Sequence, residues 1–151
     1  MKTLSVLLVE DNEIDAEITR RVITASGIDV SLQVARDGEE ALQLLLQQER
    51  PKLILLDLRL PGMDGWEVLR RVKNNTELCL IPVAVLTGQS DSRLMLECLE
   101  LGGNMYFVKP ITRSDAATLL PAISKYWGVM ERLQSRSDER GPPDARAAGG
   151  R

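Results

Sequence analysis

The stretch Leu53-Ile54-Leu55-Leu56-Asp57-Leu58-Arg59-Leu60-Pro61-Gly62-Met63-Asp64-Gly65-Trp66-Glu67 decides the fold. Its first four residues are apolar without alternation, the pattern of a strand covered on both faces. The run ends on an acid, Asp57. A Pro-Gly loop follows, and then Asp64 stands three positions before Glu67. That spacing lets two side chains satisfy the free amides of a helix start and complements the helix dipole. The segment therefore reads as a buried strand, a short loop and a capped helix.

The same unit recurs on both sides. Strands are expected at Leu4–Val9, Val30–Ala35, Leu53–Asp57, Pro82–Thr87 and Asn104–Val108. Val6-Leu7-Leu8-Val9 and Val83-Ala84-Val85-Leu86 are also apolar on both faces. Longer amphipathic segments lie between these runs. Asp37-Gly38-Glu39-Glu40 and Thr112-Arg113-Ser114-Asp115 repeat the capping spacing. Ile14, Ile18 and Val22 recur at i+4 and predict one apolar stripe on the first helix. Gly27 and Gly102-Gly103 fall where helices end and positive φ is needed. Five strand–helix alternations imply a doubly wound α/β sheet with right-handed crossovers. Pro121 conflicts with a long final helix, because proline inside a helix costs about 3 kcal/mol. The reading preferred on this ground starts that helix near Thr118, with Pro121 in its first turn. Trp66 and Trp127 read as packing residues on helices.

Composition narrows the function. The chain has 151 residues, 44% hydrophobic, 27% charged and 3% aromatic, with a net charge of −3. It is the size of one ordinary domain. The mild acidity gives no general attraction to nucleic acid or anionic lipid. No run approaches the ~20 apolar residues that span a bilayer, and the start lacks the pattern of a signal peptide. Cys79 and Cys98 are far apart, so reduced thiols and a cytoplasmic location are expected. There is no histidine. This excludes Ser-His-Asp and Cys-His catalysis and most zinc chemistry. Any phosphohistidine donor must be another protein. From about Ser135 the sequence turns polar and rich in Gly, Pro and Ala. A domain over 1–130 is expected, with 131–151 forming the end of the last helix and a disordered tail.

In open α/β sheets the functional crevice lies beyond the carboxyl ends of the strands. Here strand one ends in Glu10-Asp11, strand three in Asp57 and strand four in Thr87-Gly88. Strand five is followed by Lys109-Pro110. Carboxylates gathered there repel unless a cation joins them. Few carboxylates with room for water suit Mg²⁺. Lys109 and Thr87 add an ammonium and a hydroxyl for phosphoryl oxygens. A carboxylate that attacks phosphorus forms an aspartyl phosphate.

These residues carry a family resemblance. Leu7-Leu8-Val9-Glu10-Asp11-Asn12, Leu55-Leu56-Asp57-Leu58-Arg59-Leu60-Pro61-Gly62-Met63-Asp64-Gly65, Val85-Leu86-Thr87-Gly88 and Tyr106-Phe107-Val108-Lys109-Pro110 resemble the receiver domain of two-component response regulators, of the stand-alone, CheY-like kind. The resemblance covers about residues 3–128. It implies a flavodoxin-like fold, a doubly wound five-stranded parallel sheet in the order 2-1-3-4-5 with five helices. It implies Asp57 as phosphoacceptor, and Glu10, Asp11, Asp57 and the Arg59 carbonyl as Mg²⁺ ligands. Thr87 and Lys109 would contact the phosphoryl group, Thr87 and Tyr106 would form the switch, and the Lys109–Pro110 bond is often cis in this family. Arg59 and Gln89 stand where side chains reach the path of a hydrolytic water. The opening Glu10-Asp11-Asn12-Glu13-Ile14-Asp15 and the ending Ile123-Ser124-Lys125-Tyr126-Trp127 are similar to small regulators that partner bacterial phytochrome kinases.

The implied partners are a sensor histidine kinase, of the bacteriophytochrome kind by the narrower similarity, or a phosphotransfer protein, and then a downstream protein. No nucleic acid or membrane is expected. Leu94, Cys98 and Leu101 would bury one stripe of the fourth helix and leave Met95 or Leu96 exposed. This gives a docking or homodimer face across the fourth helix, fifth strand and last helix. Phosphorylation would be stoichiometric, so the protein is not expected to be a turnover enzyme. A flavin carrier of the same fold would need a hydroxyl- and glycine-rich loop where Glu10-Asp11-Asn12-Glu13 stands. A phosphatase would need a second Asp where Arg59 stands. A binding module that is never phosphorylated is the remaining alternative.

Overall fold

The structure is a computed structural model, described for residues 3–47, 49–88 and 91–140. Five strands and five helices alternate: β1 Leu4–Val9, α1 Glu13–Thr24, β2 Val30–Ala35, α2 Gly38–Leu45, β3 Leu53–Asp57, α3 Gly65–Asn74, β4 Val83–Thr87, α4 Ser92–Glu100, β5 Met105–Val108 and α5 Arg113–Arg140. All neighbouring strand pairs are parallel, in the order β2-β1-β3-β4-β5. The strand spans agree with the sequence reading to within one residue.

The sheet has a core on each face. Leu7, Val9, Ile54, Leu56, Val83 and Val85 point to one side, under Ala41 and Leu45 of α2, Val68, Leu69 and Val72 of α3 and Cys98 of α4. Leu4, Val6, Leu8, Leu53, Leu55 and Leu86 point to the other, under Ile23 of α1 and Ala116, Leu119, Leu120 and Ile123 of α5. Complete burial of a Leu or Val side chain contributes about 1.5–3 kcal/mol. The central strands β3 and β4 are buried at every position, so their ends are fixed from both faces.

The three cap residues act as read, and one of the pairs is reciprocal. Asp37 and Asp64 accept from the amides of Glu40 and Glu67. Thr112 and Asp115 satisfy each other's amides at 3.0 Å, a reciprocal capping box. Gly27 and Gly102 have φ of 86° and 98°.

Three expectations need correction. Of the Ile14–Ile18–Val22 stripe only Val22 packs against the core. Ile14 is 72% exposed and Ile18 40% exposed. The inward face of α1 is instead Thr19 and Ile23, with Ala16 and Val22 packed beside them. The last helix does not start near Thr118. It begins at Arg113, and Pro121 lies inside it. The carbonyl that Pro121 leaves without an amide partner is that of Ala117, and both residues lie on the exposed side. Water can satisfy it while Leu119, Leu120 and Ile123 hold the helix down. Finally, α5 stays helical to Arg140, past Ser135, where the disordered tail is expected to begin. The rest of the tail expected there, 141–151, lies outside the described residues, as does Gln89.

On α4 the expected stripe is present. Cys98 is buried, Leu94 and Leu101 are half-buried, and Met95, Leu96 and Leu99 are exposed. Trp127 donates to the Lys52 carbonyl at 2.7 Å and lies under the Lys52 ammonium. Trp66 packs against the core on the α2–α3–α4 side. Both behave as packing residues.

Candidate functional site

The strand ends converge on an open cleft of about 720 Å³. Glu10, Asp11, Asp57, Arg59, Gly88 and Lys109 line it, together with Asp15 and Ile18 from α1. Each carboxylate has a structural reason to be there. Glu10 follows β1 and is clamped to β2 through its amide, which donates to the Ala35 carbonyl at 2.9 Å. Asp57 is the last residue of the central strand. The first turn of α3 closes on it from behind: the Gly65 amide donates to the Leu58 carbonyl at 3.0 Å.

Glu10, Asp11 and Asp57 each offer an oxygen within 4.8 Å of the others. Glu10 is 1% and Asp57 5% exposed, whereas Asp11 is open to solvent. Lys109 reaches into this group. Its Nζ lies 2.8 Å from Asp57 Oδ2, 2.6 Å from Glu10 Oε1 and 3.2 Å from Asp15 Oδ2. The Glu10 contact is an ion pair without hydrogen-bond alignment, so buried Oε1 lacks an aligned donor. The Arg59 amide donates to Asp57 Oδ1 at 3.1 Å. The Lys109–Pro110 peptide is cis.

Burial, opposed by Lys109 and reinforced by Asp57, pushes the Glu10 carboxyl up to about 7. Burial alone would depress the Lys109 ammonium, but its contacts with Asp57 and Glu10 hold it above the ordinary lysine range. The site thus keeps the Lys109 cation among several acids. Three clustered carboxylates, one with a buried oxygen free of an aligned donor, fit a divalent cation held by hard oxygen ligands.

A stability prediction follows from Glu10. Its folded value, about 7, lies above the unfolded 4.5. The native state therefore binds the extra proton between those values, and stability falls as pH rises through that window. With chelator present, the unfolding free energy should drop by roughly 2 kcal/mol between pH 5 and 7.5. Saturating Mg²⁺ should reverse the drop, and Glu10→Gln should flatten it. Denaturant titrations across that pH range measure all three.

Every acid and base singled out in the sequence reaches the cleft. Thr87 is buried at the end of β4, where it pairs with Val108, one step beyond the Asp57–Leu86 pair. Tyr106 is half-buried and packs against the α2–α3–α4 core. Sequence reading missed Asp15 and Gly65 as site residues. The signal for Asp15 was its place three residues after the cap Asn12, whose Oδ1 accepts from the Asp15 amide. That spacing puts it one helical turn past Asp11, on the cleft side.

Comparison with known proteins points the same way. A family model for the response regulator receiver domain matches residues 6–120. Response regulator Rcp1 of Synechocystis sp. is 39% identical over 128 residues, covering 81% of this chain and 87% of Rcp1. The solved Mn²⁺-bound form of Rcp1 superposes with a TM-score of 0.67 at 38% identity, over 82% of this chain and 94% of that one. The bacteriophytochrome response regulator RtBRR gives 0.72 at 34% identity, over 81% and 78%. The phosphorylated cyanobacterial phytochrome response regulator RcpA gives 0.70 at 32% identity, over 83% and 94%. Among the described residues no helix is long and apolar enough to cross a membrane.

Proposed function

Because this chain belongs to the response regulator receiver family of two-component systems, we propose that it accepts a phosphoryl group from a histidine kinase on Asp57 and signals by a change of shape. The observation that carries this reading is the Lys109 ammonium set between buried Asp57 and Glu10 at the ends of three strands.

The chemistry follows from the groups present. An Asp57 carboxylate oxygen attacks phosphorus, and the bond from phosphorus to the donor's imidazole nitrogen breaks. Lys109 follows the charge as it spreads over the phosphoryl oxygens. Glu10, Asp11 and Asp57, with the Arg59 carbonyl, would hold Mg²⁺, which supplies charge neutralisation at those oxygens when bound. The donor is a histidine kinase or phosphotransfer protein. A bacteriophytochrome kinase is the specific proposal, supported by the names of RtBRR and RcpA. Ile18 on α1 and Pro110, both exposed and lining the cleft, with exposed Ile14 on the same helix, form the apolar surface on which the donor lands.

Thr87 and Tyr106 carry the output. The Thr87 hydroxyl moves toward the phosphoryl group and vacates space into which Tyr106 turns. A complete shift from about 1% to 99% active takes ~5.5 kcal/mol of differential stabilisation. The readout face is α4–β5–α5, where Met95, Leu96, Leu99 and Val108 are exposed. A downstream protein or a second copy binds there. Function is stoichiometric switching rather than turnover.

Incubation with Mg²⁺ and acetyl phosphate, followed by intact mass measurement, tests the reading. One phosphoryl group should be gained, and none when the metal is chelated. Thr87→Ala should still gain it but lose most of the phosphorylation-dependent change in partner binding or self-association. Normal output from Thr87→Ala removes the hydroxyl relay.

A further inference from the structure

The Lys109 ammonium has three N–H donors, and three carboxylates surround it. Two of them, Glu10 and Asp57, are almost fully buried and belong to the acid cluster. The third, Asp15, does not belong to it. Its side chain is 41% exposed against 16% for Lys109, and its contact is the longest of the three, at 3.2 Å. Asp15 is nonetheless firmly placed. Its amide is held by Asn12 Oδ1 at 2.9 Å, and the Asn12 amide in turn reaches Glu10 Oε2 at 3.3 Å. The first turn of α1 thus holds a carboxylate against the ammonium that the phosphoryl group needs.

On this basis, and resting on the proposed phosphorylation of Asp57, we infer that Asp15 is a positioning residue that competes with the phosphoryl group for Lys109. The argument is one of charge and space around a single ammonium. Two of its N–H groups donate, to Asp57 and Asp15, and Glu10 adds an ion pair at 2.6 Å. Phosphorylated Asp57 brings new anionic oxygens to the same ammonium, and the contact most easily displaced is the weakest of the three. The Glu10 contact is the shortest and lies in the buried cluster, and the Asp57 side chain itself carries the phosphoryl group. The Asp15 contact is the longest and the most exposed to water, which solvates the released carboxylate. Asp15 therefore holds Lys109 in the resting state and lowers the affinity of the cleft for a phosphoryl group. The release also frees a side chain on α1 beside the Ile14–Ile18 surface, so that surface and the occupancy of Asp57 become linked.

The test uses beryllofluoride, a phosphoryl mimic, titrated calorimetrically at saturating Mg²⁺. Asp15→Asn keeps the shape and removes the charge. It should tighten binding roughly fivefold, or about 1 kcal/mol. Removing any nearby anion would also favour an anionic ligand, so the measurement is repeated on a Lys109→Gln background. There the gain should shrink below about twofold. An equal gain in both backgrounds is plain charge repulsion and overturns the inference, as does weaker binding by Asp15→Asn when Lys109 is present. The ammonium resonance of Lys109 gives a second readout that does not depend on the weakened background. Wild type and Asp15→Asn should differ when free and converge when beryllofluoride is bound. A difference that persists in the complex overturns the inference. Failure of the wild type to bind the mimic or to gain a phosphoryl group refutes phosphorylation itself, a result distinct from either of these.

Discussion

Asp57→Asn should gain no phosphoryl group from acetyl phosphate or from a kinase, under conditions where the wild type gains one. The amide presents no anionic oxygen to phosphorus, and its nitrogen is a poor nucleophile. The substitution is nearly isosteric at a site that is 5% exposed, so the fold should survive. The β1–β3 and β3–β4 registers involve backbone groups that the change does not touch. Three consequences distinguish loss of chemistry from loss of structure. Divalent-ion affinity should fall by at least about tenfold, because one of three carboxylates is gone. The Glu10 carboxyl should move back toward its ordinary value, because Asp57 is one of the groups that raises it. The fall in metal-free stability with rising pH should therefore become shallower. Hydroxylamine should release the phosphoryl group from the wild type, as expected for an acyl phosphate. Uptake by Asp57→Asn at the wild-type rate would place the acceptor elsewhere, with exposed Asp11 the first residue to examine.

The path from sequence to this site was legible because three signals coincide in space. Strands that are apolar on both faces must be buried, so their ends must lie side by side at one edge of the sheet. The acids, the hydroxyl and the amine sit at those ends. Their meeting needed no knowledge of distances. The capping residues were legible for a similar reason, since their partners are three residues away and depend on no tertiary contact.

What the sequence hid depends on choices between near-equal alternatives. On α1, Ile14-Ile18-Val22 and Ala16-Thr19-Ile23 are both stripes at helical spacing. Periodicity shows that a stripe exists, not which one the sheet covers. The smaller, partly polar one went inward, and both isoleucines were left exposed, Ile18 lining the cleft. Pro121 was misjudged because its penalty assumes a buried, unpaired carbonyl. On the water-facing side of α5 that cost is reduced. The contact between Lys109 and Asp15, ninety-four positions apart, depends on how closely α1 approaches β5, and no local pattern encodes that.

Gly65→Ala should be the most damaging of the glycine substitutions, and the reason lies in the packing behind Asp57. A Cβ at position 65 would overlap the Asp57 carbonyl oxygen and lie 2.5 Å from Leu58 Cα. These are backbone atoms, so no rotamer change relieves the clash. Neither side can yield cheaply. β3 is hydrogen-bonded to both β1 and β4, and α3 is anchored by fully buried Val68 and Leu69. The expected loss is about 3 kcal/mol or more, in the range of severe overpacking. Whatever strain the fold absorbs must displace the end of β3, which carries the proposed acceptor Asp57. The fraction that stays folded should therefore take up phosphoryl groups more than about tenfold more slowly, since an ångström of misplacement has effects of that size. Gly128→Ala is the control. A Cβ there meets nothing within 4 Å, and α5 continues through it, so the change should stabilise by about 0.5–1 kcal/mol through helix propensity. Denaturant midpoints for the two variants, taken with their initial rates of phosphorylation, test the claim. A Gly65→Ala protein of wild-type stability and rate would mean that α3 does not press on the acceptor strand.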